Sequence, residues 1–153
     1  MKALELKLPP PLVAALAALL MWVVARQGPL LELAFPMRLS LAILVALAGL
    51  AVAVAGVMSF HRVETTVNPL TPEKSSALVS SGIYRISRNP MYLGLLLVLL
   101  GWALWLSAPW ALVGPVLFVA WITRFQIIPE ERALLARFGP EFEIYCRRVR
   151  RWL

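Results

Sequence analysis

The 153-residue sequence contains no aspartate, a single cysteine and a single histidine. Cys146 alone cannot form an intramolecular disulfide, and with His61 it does not complete a zinc site, so no metal site is expected. The absence of aspartate excludes a Ser-His-Asp hydrolase. A glycine-rich nucleotide loop is also missing, because Gly82 and Gly94 match neither the dinucleotide-binding nor the P-loop spacing.

Charged residues are scarce, at 15% of the chain against roughly 25% in a typical soluble domain. Hydrophobic residues make up 61%, and the mean hydropathy is +0.79. These values exclude a disordered chain and an ordinary soluble enzyme, and they indicate a membrane protein. A net charge of +7 would suit nucleic acid or an anionic membrane surface. The apolar runs favour the membrane, so no nucleic-acid partner is expected.

Four apolar segments predict an all-α, polytopic integral membrane protein with helices at residues 11–26, 38–60, 91–107 and 110–128. A span needs about 20 mostly apolar residues, and residues 39–60 of the second segment supply them without a charge. Residues 89–123, which hold the third segment and most of the fourth, form one uncharged run that is too long for a single crossing. Ser107-Ala108-Pro109 predicts a tight turn within it. The first segment could be a signal peptide. A retained helix is favoured because no convincing cleavage site follows it.

Lysine and arginine are distributed unevenly between the two sides that four spans would define. Thirteen of the 15 fall on the side of the N-terminus, the 61–90 loop and the C-terminal segment, and only Arg26 and Arg38 fall on the other. Because basic residues mark the cytoplasmic side, both termini are expected in the cytoplasm. The chain is expected to form one domain, residues 1–153, in a bacterial inner membrane.

The last segment, residues 129–153, is charged and aromatic rather than uniformly apolar. Its apolar residues recur at spacings of three, four and seven, which predicts an amphipathic helical segment broken near Gly139-Pro140. This segment is expected to lie at the cytoplasmic interface or to fold back over the 61–90 loop. Four arginines near its end either contact anionic lipid headgroups or form a solvated basic tail: Arg147, Arg148, Arg150 and Arg151.

Two charged features lie near the end of the last apolar segment. Arg124 either snorkels to the headgroups or lines a polar cavity. Glu130 and Glu131 follow Pro129, where acids suit the first turn of a helix, but they could also hold a cationic ligand. If the helix continues through Pro129, the seven-residue spacing places Glu131 on the same face as Arg124.

Residues 82–94 form the third feature. Asn89 is a suitable N-cap and Pro90 a suitable first residue, so a helix is expected to begin here, at the cytoplasmic end of the third span. The free backbone N–H groups of such a helix start favour binding of an anion. Gly94, one turn further, allows another group to approach the backbone closely. The alternative is simply a well-capped membrane helix.

Taken in order, several segments resemble the isoprenylcysteine carboxyl methyltransferase family, which is related to the membrane phospholipid methyltransferases. They are residues 82–94, Arg124, Glu130-Glu131-Arg132, Phe138-Gly139, Tyr145 and residues 149–152. The resemblance implies a multi-pass helical enzyme that uses S-adenosylmethionine at the cytoplasmic face, with a lipid-like acceptor from the bilayer and membrane lipids as its partners.

The resemblance also implies which residues form the site. The expected cofactor-binding residues are Tyr84, Arg88, Asn89, Pro90, Met91, Tyr92, Gly94, Glu130 and Glu131. Asn89 replaces the family's usual histidine, which leaves a positioning role but removes a proton-transfer role near neutral pH. Arg124 and Arg88 are the catalytic candidates, because an acceptor carboxylate would need a cation to hold it.

Three functions remain open at this stage. The resemblance favours carboxyl O-methylation of an isoprenylcysteine-like acceptor. N-methylation of a phospholipid or another lipid amine is the alternative within the same class of enzyme. A small binding or assembly protein of the membrane, without enzymatic activity, is the alternative from a different class.

Overall fold

The computed structural model describes residues 4–32, 34–62 and 78–153. Within these residues every regular element is helical, which confirms the all-α prediction. The helices are α1 (Pro10–Ala25), α2 (Phe35–Arg62), α3 (Pro90–Leu106), α4 (Val113–Ile122), α5 (Ile128–Phe138) and α6 (Pro140–Arg148). Short 3₁₀ turns cover Gly82–Arg85 and Pro109–Leu112, and a π-helical turn covers Thr123–Ile127. Much of the expected 61–90 loop, residues 63–77, lies outside the described part of the chain.

Two of these helical stretches are long and apolar enough to cross a membrane, Phe35–Phe60 and Pro109–Phe138. Helices α1 and α3 are apolar but shorter. Many large apolar side chains on α1, α2 and α4 are exposed, as expected for surfaces that face lipid. The structure therefore supports a membrane protein with two candidate spans.

Glycines hold α2 and α3 close together. A Cβ built on Gly94 would lie 2.5 Å from the carbonyl oxygen of Gly49, and one built on Gly101 would lie 2.8 Å from that of Ala42. Small residues at such a crossing let the backbones approach closely. The group that approaches Gly94 is thus the α2 backbone.

The helical stretch Pro109–Phe138, called here the last long helix, follows α3 after a turn. This turn lies at the position that the sequence indicates. Ser107 has a left-handed backbone with φ of +52° and ends α3, after which Pro109 begins a 3₁₀ turn. The Ser107 hydroxyl donates to the Leu31 carbonyl at 2.9 Å, which ties the turn to the α1–α2 connection. Helix α1 packs against α3 and α4, and Met21 of α1 is fully buried against Gly114 of α4.

The last long helix does not end at residue 128, where the expected span ends. It continues through Pro129 to Phe138 by way of the π-helical turn. Proline lacks an N–H and its ring clashes with the carbonyl four residues earlier, which here belongs to Phe125. The wider π turn relieves that clash, and the Leu6 N–H donates to the Phe125 oxygen at 3.0 Å. The N-terminal segment thus supplies the hydrogen bond that Pro129 cannot make.

The C-terminal segment folds back over the described end of the 61–90 loop. Gly139, with φ of +51°, separates α5 from α6. Phe142, Tyr145 and Val149 are buried, and they pack against Leu78, Leu134, Phe138 and Cys146. This cluster fixes the direction in which residues 149–152 leave α6. Leu135, an apolar residue of α5, is exposed.

Candidate functional site

The candidate site is formed where three parts of the chain meet: the start of α3, the start of α5 and the C-terminal tail, defined here as residues 149–152. Pro90 is the first residue of α3, as expected for a proline at a helix start. Glu130 and Glu131 lie in the first turn of α5. The π-helical turn and α5 are continuous, and both carboxyl groups contact the start of α3, Glu130 through Tyr92 and Glu131 through Arg88.

Arg88 anchors the tail to the start of α3. Its Nη1 donates to the carbonyl oxygens of Cys146, at 3.0 Å, and Val149, at 2.8 Å. Its Nη2 donates to Glu131 Oε1 at 2.6 Å, and only 12% of the side chain is exposed. Arg88 Nε is buried and has no hydrogen-bond partner among the described residues. The arginine therefore joins three segments and retains one unused donor.

Glu131 binds a second arginine. Arg151 approaches it with two donors, Nη2 to Oε2 at 2.7 Å and Nε to Oε1 at 3.1 Å. Such two-pronged pairing is the strongest geometry between arginine and a carboxylate. The hydrogen bond to Glu131 raises the pKa of Arg151, which therefore stays charged. With two guanidinium groups on one carboxylate, the charge of Glu131 is fully compensated.

Asn89 occupies the N-cap position of α3, but its side chain does not cap the helix. Its Nδ2 donates instead to the Arg151 carbonyl at 2.9 Å, while the Arg88 N–H donates to the Arg150 carbonyl at 3.0 Å. The Ser87 hydroxyl accepts from the Asn89 N–H at 3.1 Å. Two carbonyl oxygens of the tail therefore accept hydrogen bonds at a helix start that was expected to bind an anion.

Glu130 has different partners from Glu131. The Tyr92 hydroxyl and Gln126 Nε2 both donate to Glu130 Oε1, at 2.5 and 2.7 Å. Both donors are neutral, and none of the four ion pairs in the described part of the chain involves Glu130. Its carboxyl group therefore has no cationic partner in the described part of the chain. The two adjacent glutamates differ in this respect because successive residues point to different sides of a helix.

Among the ion pairs of the described residues, Arg124 binds Glu5 and neither Glu130 nor Glu131, which the seven-residue spacing had suggested as a neighbour. The π turn adds about one residue to the helical repeat, so Arg132 rather than Glu131 shares the side of Arg124. Both arginines bind Glu5 of the N-terminal segment, Arg124 at 3.2 Å. Arg124 is 44% exposed. It therefore ties the N-terminus to the last long helix.

The remaining expected site residues make packing contacts, and their binding of a cofactor stays a prediction. Met91 and Pro90 contact α2 near Gly56, and Gly94 contacts Gly49. Tyr84 is buried beside Phe60, with the two rings edge to face.

Tyr84 also links the 3₁₀ turn to α6. Its carbonyl oxygen accepts a hydrogen bond from the Tyr145 hydroxyl at 2.8 Å. Burial raises the pKa of Tyr145, so this hydroxyl stays protonated and continues to donate. The bond holds α6, and with it the tail, beside the site.

Three residues of this arrangement were not predicted as site residues from the sequence: Gln126, Arg151 and Glu5. Arg151 was expected only to contact lipid headgroups or to form part of a solvated tail. Gln126 precedes Glu130 by four residues, a helical spacing that favours side-chain contact, and it is a polar residue among apolar neighbours. This spacing and the polarity of Gln126 could have identified it from the sequence. Glu5 and Arg151 are distant in sequence from their partners, so their pairing follows only from the tertiary structure.

The site combines a compensated Arg88–Glu131–Arg151 cluster with a second carboxyl group, that of Glu130, which no cation of the described residues compensates. Such a carboxylate attracts a cation, and Tyr92 and Gln126 fix its orientation. S-adenosylmethionine carries a sulfonium and an ammonium, which suit Glu130, and a carboxylate, for which Arg88 Nε is an unused donor. The residues present thus fit this cofactor.

Comparisons with known proteins agree with this chemistry. The model of the phospholipid methyltransferase family matches residues 37–141. An uncharacterised protein of Haemophilus influenzae is 49% identical over 63 residues, which are 41% of this chain and the whole of that protein. No solved structure matches the chain significantly. Because the family match includes both helices that carry the site and covers more than half of the sequence, the chain belongs to the phospholipid methyltransferase family and is a membrane methyltransferase.

Proposed function

We propose that the protein transfers a methyl group from S-adenosylmethionine to a lipid-like acceptor at the cytoplasmic face of the membrane. The observation that carries the proposal is the uncompensated carboxylate of Glu130, oriented by Tyr92 and Gln126 beside the start of α3. When bound, the cofactor supplies an electrophilic methyl group. Glu130 would hold its cationic end, and Arg88 Nε would donate to its carboxylate.

The charges of the site favour an amine acceptor. Both arginines that could hold an acceptor carboxylate are engaged, Arg88 by Glu131 and two carbonyls, and Arg124 by Glu5. One remaining donor on Arg88 does not provide the two-pronged grip that arginine gives a carboxylate. An amine acceptor needs no such cation, and the proton that it must lose can pass to water at the membrane face. N-methylation of a lipid amine is therefore the reaction that the geometry supports best.

Carboxyl O-methylation of an isoprenylcysteine-like acceptor is the second candidate. It is supported by the resemblance of residues 82–94, of the acidic pair and of the C-terminal segment to the carboxyl methyltransferases. The reaction would require Arg124 to leave Glu5 and reach the acceptor. Its partly exposed position makes such a change of partner feasible.

The test uses the purified full-length protein in detergent. We expect saturable binding of S-adenosylmethionine by calorimetry, and transfer of radiolabelled methyl to an aminophospholipid but not to a prenylcysteine analogue. Transfer to the prenylcysteine analogue alone would establish the second candidate. A well-folded protein that binds no cofactor would contradict the proposed function and favour a non-enzymatic membrane protein.

We further propose that α1, α2, α3 and the last long helix each cross a bacterial inner membrane, with both termini in the cytoplasm. The support is the uneven distribution of Lys and Arg, because basic loops are retained on the cytoplasmic side. A cytoplasm-active reporter fused after Leu153 should be active, and one fused in the Ser107–Pro109 turn should not. A periplasm-active reporter that works after Leu153 would contradict this topology.

A further inference from the structure

The C-terminal tail is bound across the start of α3 by backbone as well as side-chain groups. Arg88 and Asn89 donate to the carbonyl oxygens of Val149, Arg150 and Arg151. Beyond them, Trp152 Nε1 donates to Thr123 Oγ1 at 3.2 Å, in the π-helical turn. A segment with partners on both α3 and the last long helix is part of the wall of the site.

Arg151 is the residue of this tail whose side chain faces the acidic pair. Its Nη2 donates to Oε2 of Glu131, and its Nε donates to Oε1, which also accepts from Arg88. Glu131 therefore lies between two arginines: Arg88, which shortly precedes α3, and Arg151 of the tail. Without Arg151, Glu131 would keep only its bond to Arg88, and its second oxygen would be released from this pairing.

We propose that Arg151 is a positioning residue of the methyl-transfer site: by holding Glu131 against Arg88, it fixes the wall and leaves Glu130 as the carboxylate that receives the cofactor's cation. The proposal rests on the proposed function for its cofactor step. It would explain why two adjacent glutamates are not equivalent, because a second uncompensated carboxylate would compete with Glu130 for the cation.

The first test needs no cofactor and uses Cys146, the single cysteine, which is partly buried among the residues that pack the tail. Its rate of labelling by a maleimide reports how often this region opens. Arg151→Met keeps an aliphatic side chain and removes the ion pair, so labelling should accelerate by at least about threefold. Arg150→Met is the matched control, because its side chain is exposed and it should label at the wild-type rate.

The second test measures the cofactor. In Arg151→Met the KM for S-adenosylmethionine should rise by about tenfold, with kcat at saturating cofactor changed by less than about twofold, because the lost bond is charge-assisted and affects binding. In a Glu131→Gln background the same substitution should add little, because both changes break one interaction. Arg151→Lys should restore part of the affinity, since it keeps the charge but not the two-pronged geometry.

The outcomes separate this inference from the proposed function. Wild-type protein that binds no cofactor refutes the proposed function and the cofactor role of Arg151 together, and the labelling rates then still decide whether Arg151 holds the tail. Unchanged labelling in Arg151→Met overturns the inference whatever the activity. Faster labelling with an unchanged cofactor KM also overturns it, because Arg151 would then only stabilise the tail. Losses that multiply in the double variant would show that Arg151 does not act through Glu131.

Discussion

Glu130→Gln is expected to reduce affinity for S-adenosylmethionine by about tenfold or more. Glutamine preserves the size of the side chain and can still accept from Tyr92, but it carries no negative charge. A charge-assisted hydrogen bond contributes about 1.5–3 kcal/mol, which corresponds to this loss of affinity. Methyl transfer at low cofactor concentration should fall by a similar factor, because the lost interaction affects binding of the cofactor. Calorimetric titration and single-turnover transfer with the purified variant measure the two effects.

Glu141→Gln is the matched control for this prediction. It makes the same chemical change at an exposed position in the first turn of α6, so binding should remain unchanged. Glu130→Gln with wild-type affinity, together with a loss in Glu131→Gln, would assign the cofactor's cation to Glu131 instead. That result would also require Glu131 to give up at least one of its two arginines.

Arg88→Lys should destabilise the protein by about 2–4 kcal/mol, because a lysine ammonium cannot reach two carbonyl oxygens and a carboxylate with the geometry of a guanidinium. The substitution leaves the partly buried carbonyls of Cys146 and Val149 short of a donor and weakens the attachment of the tail to the start of α3. The expected result is a lower melting temperature in detergent and faster proteolysis near the C-terminus.

Arg85→Lys serves as the comparison, because Arg85 lies three residues earlier and is exposed. It should melt as the wild type does. Equal melting temperatures for the two variants would contradict the anchoring role of Arg88. A normal melting temperature with lost methyl transfer would return Arg88 to the role of a catalytic cation that holds the acceptor.

The positions of the helices could be predicted from the sequence because their causes are local. Long runs without charge lead to apolar helices, Pro90 begins α3, and Ser107-Ala108-Pro109 ends it. The continuation of the last helix through Pro129 was harder to predict. It depends on a π turn and on a hydrogen bond from Leu6, which is more than a hundred residues away in the sequence.

The amino-acid sequence by itself determined that this protein is helical, apolar and suited to a membrane, and its ordered motifs indicated a methyltransferase family. It also indicated that the start of α3 and the acidic pair belong to one site. Only the tertiary structure decided how the charges pair: Arg124 with Glu5, Glu131 with Arg88 and Arg151, and Glu130 with neutral donors. The physical reason is that periodicity defines which residues share a helix face. The partner across that face depends on packing, and here on the phase shift of a single π turn.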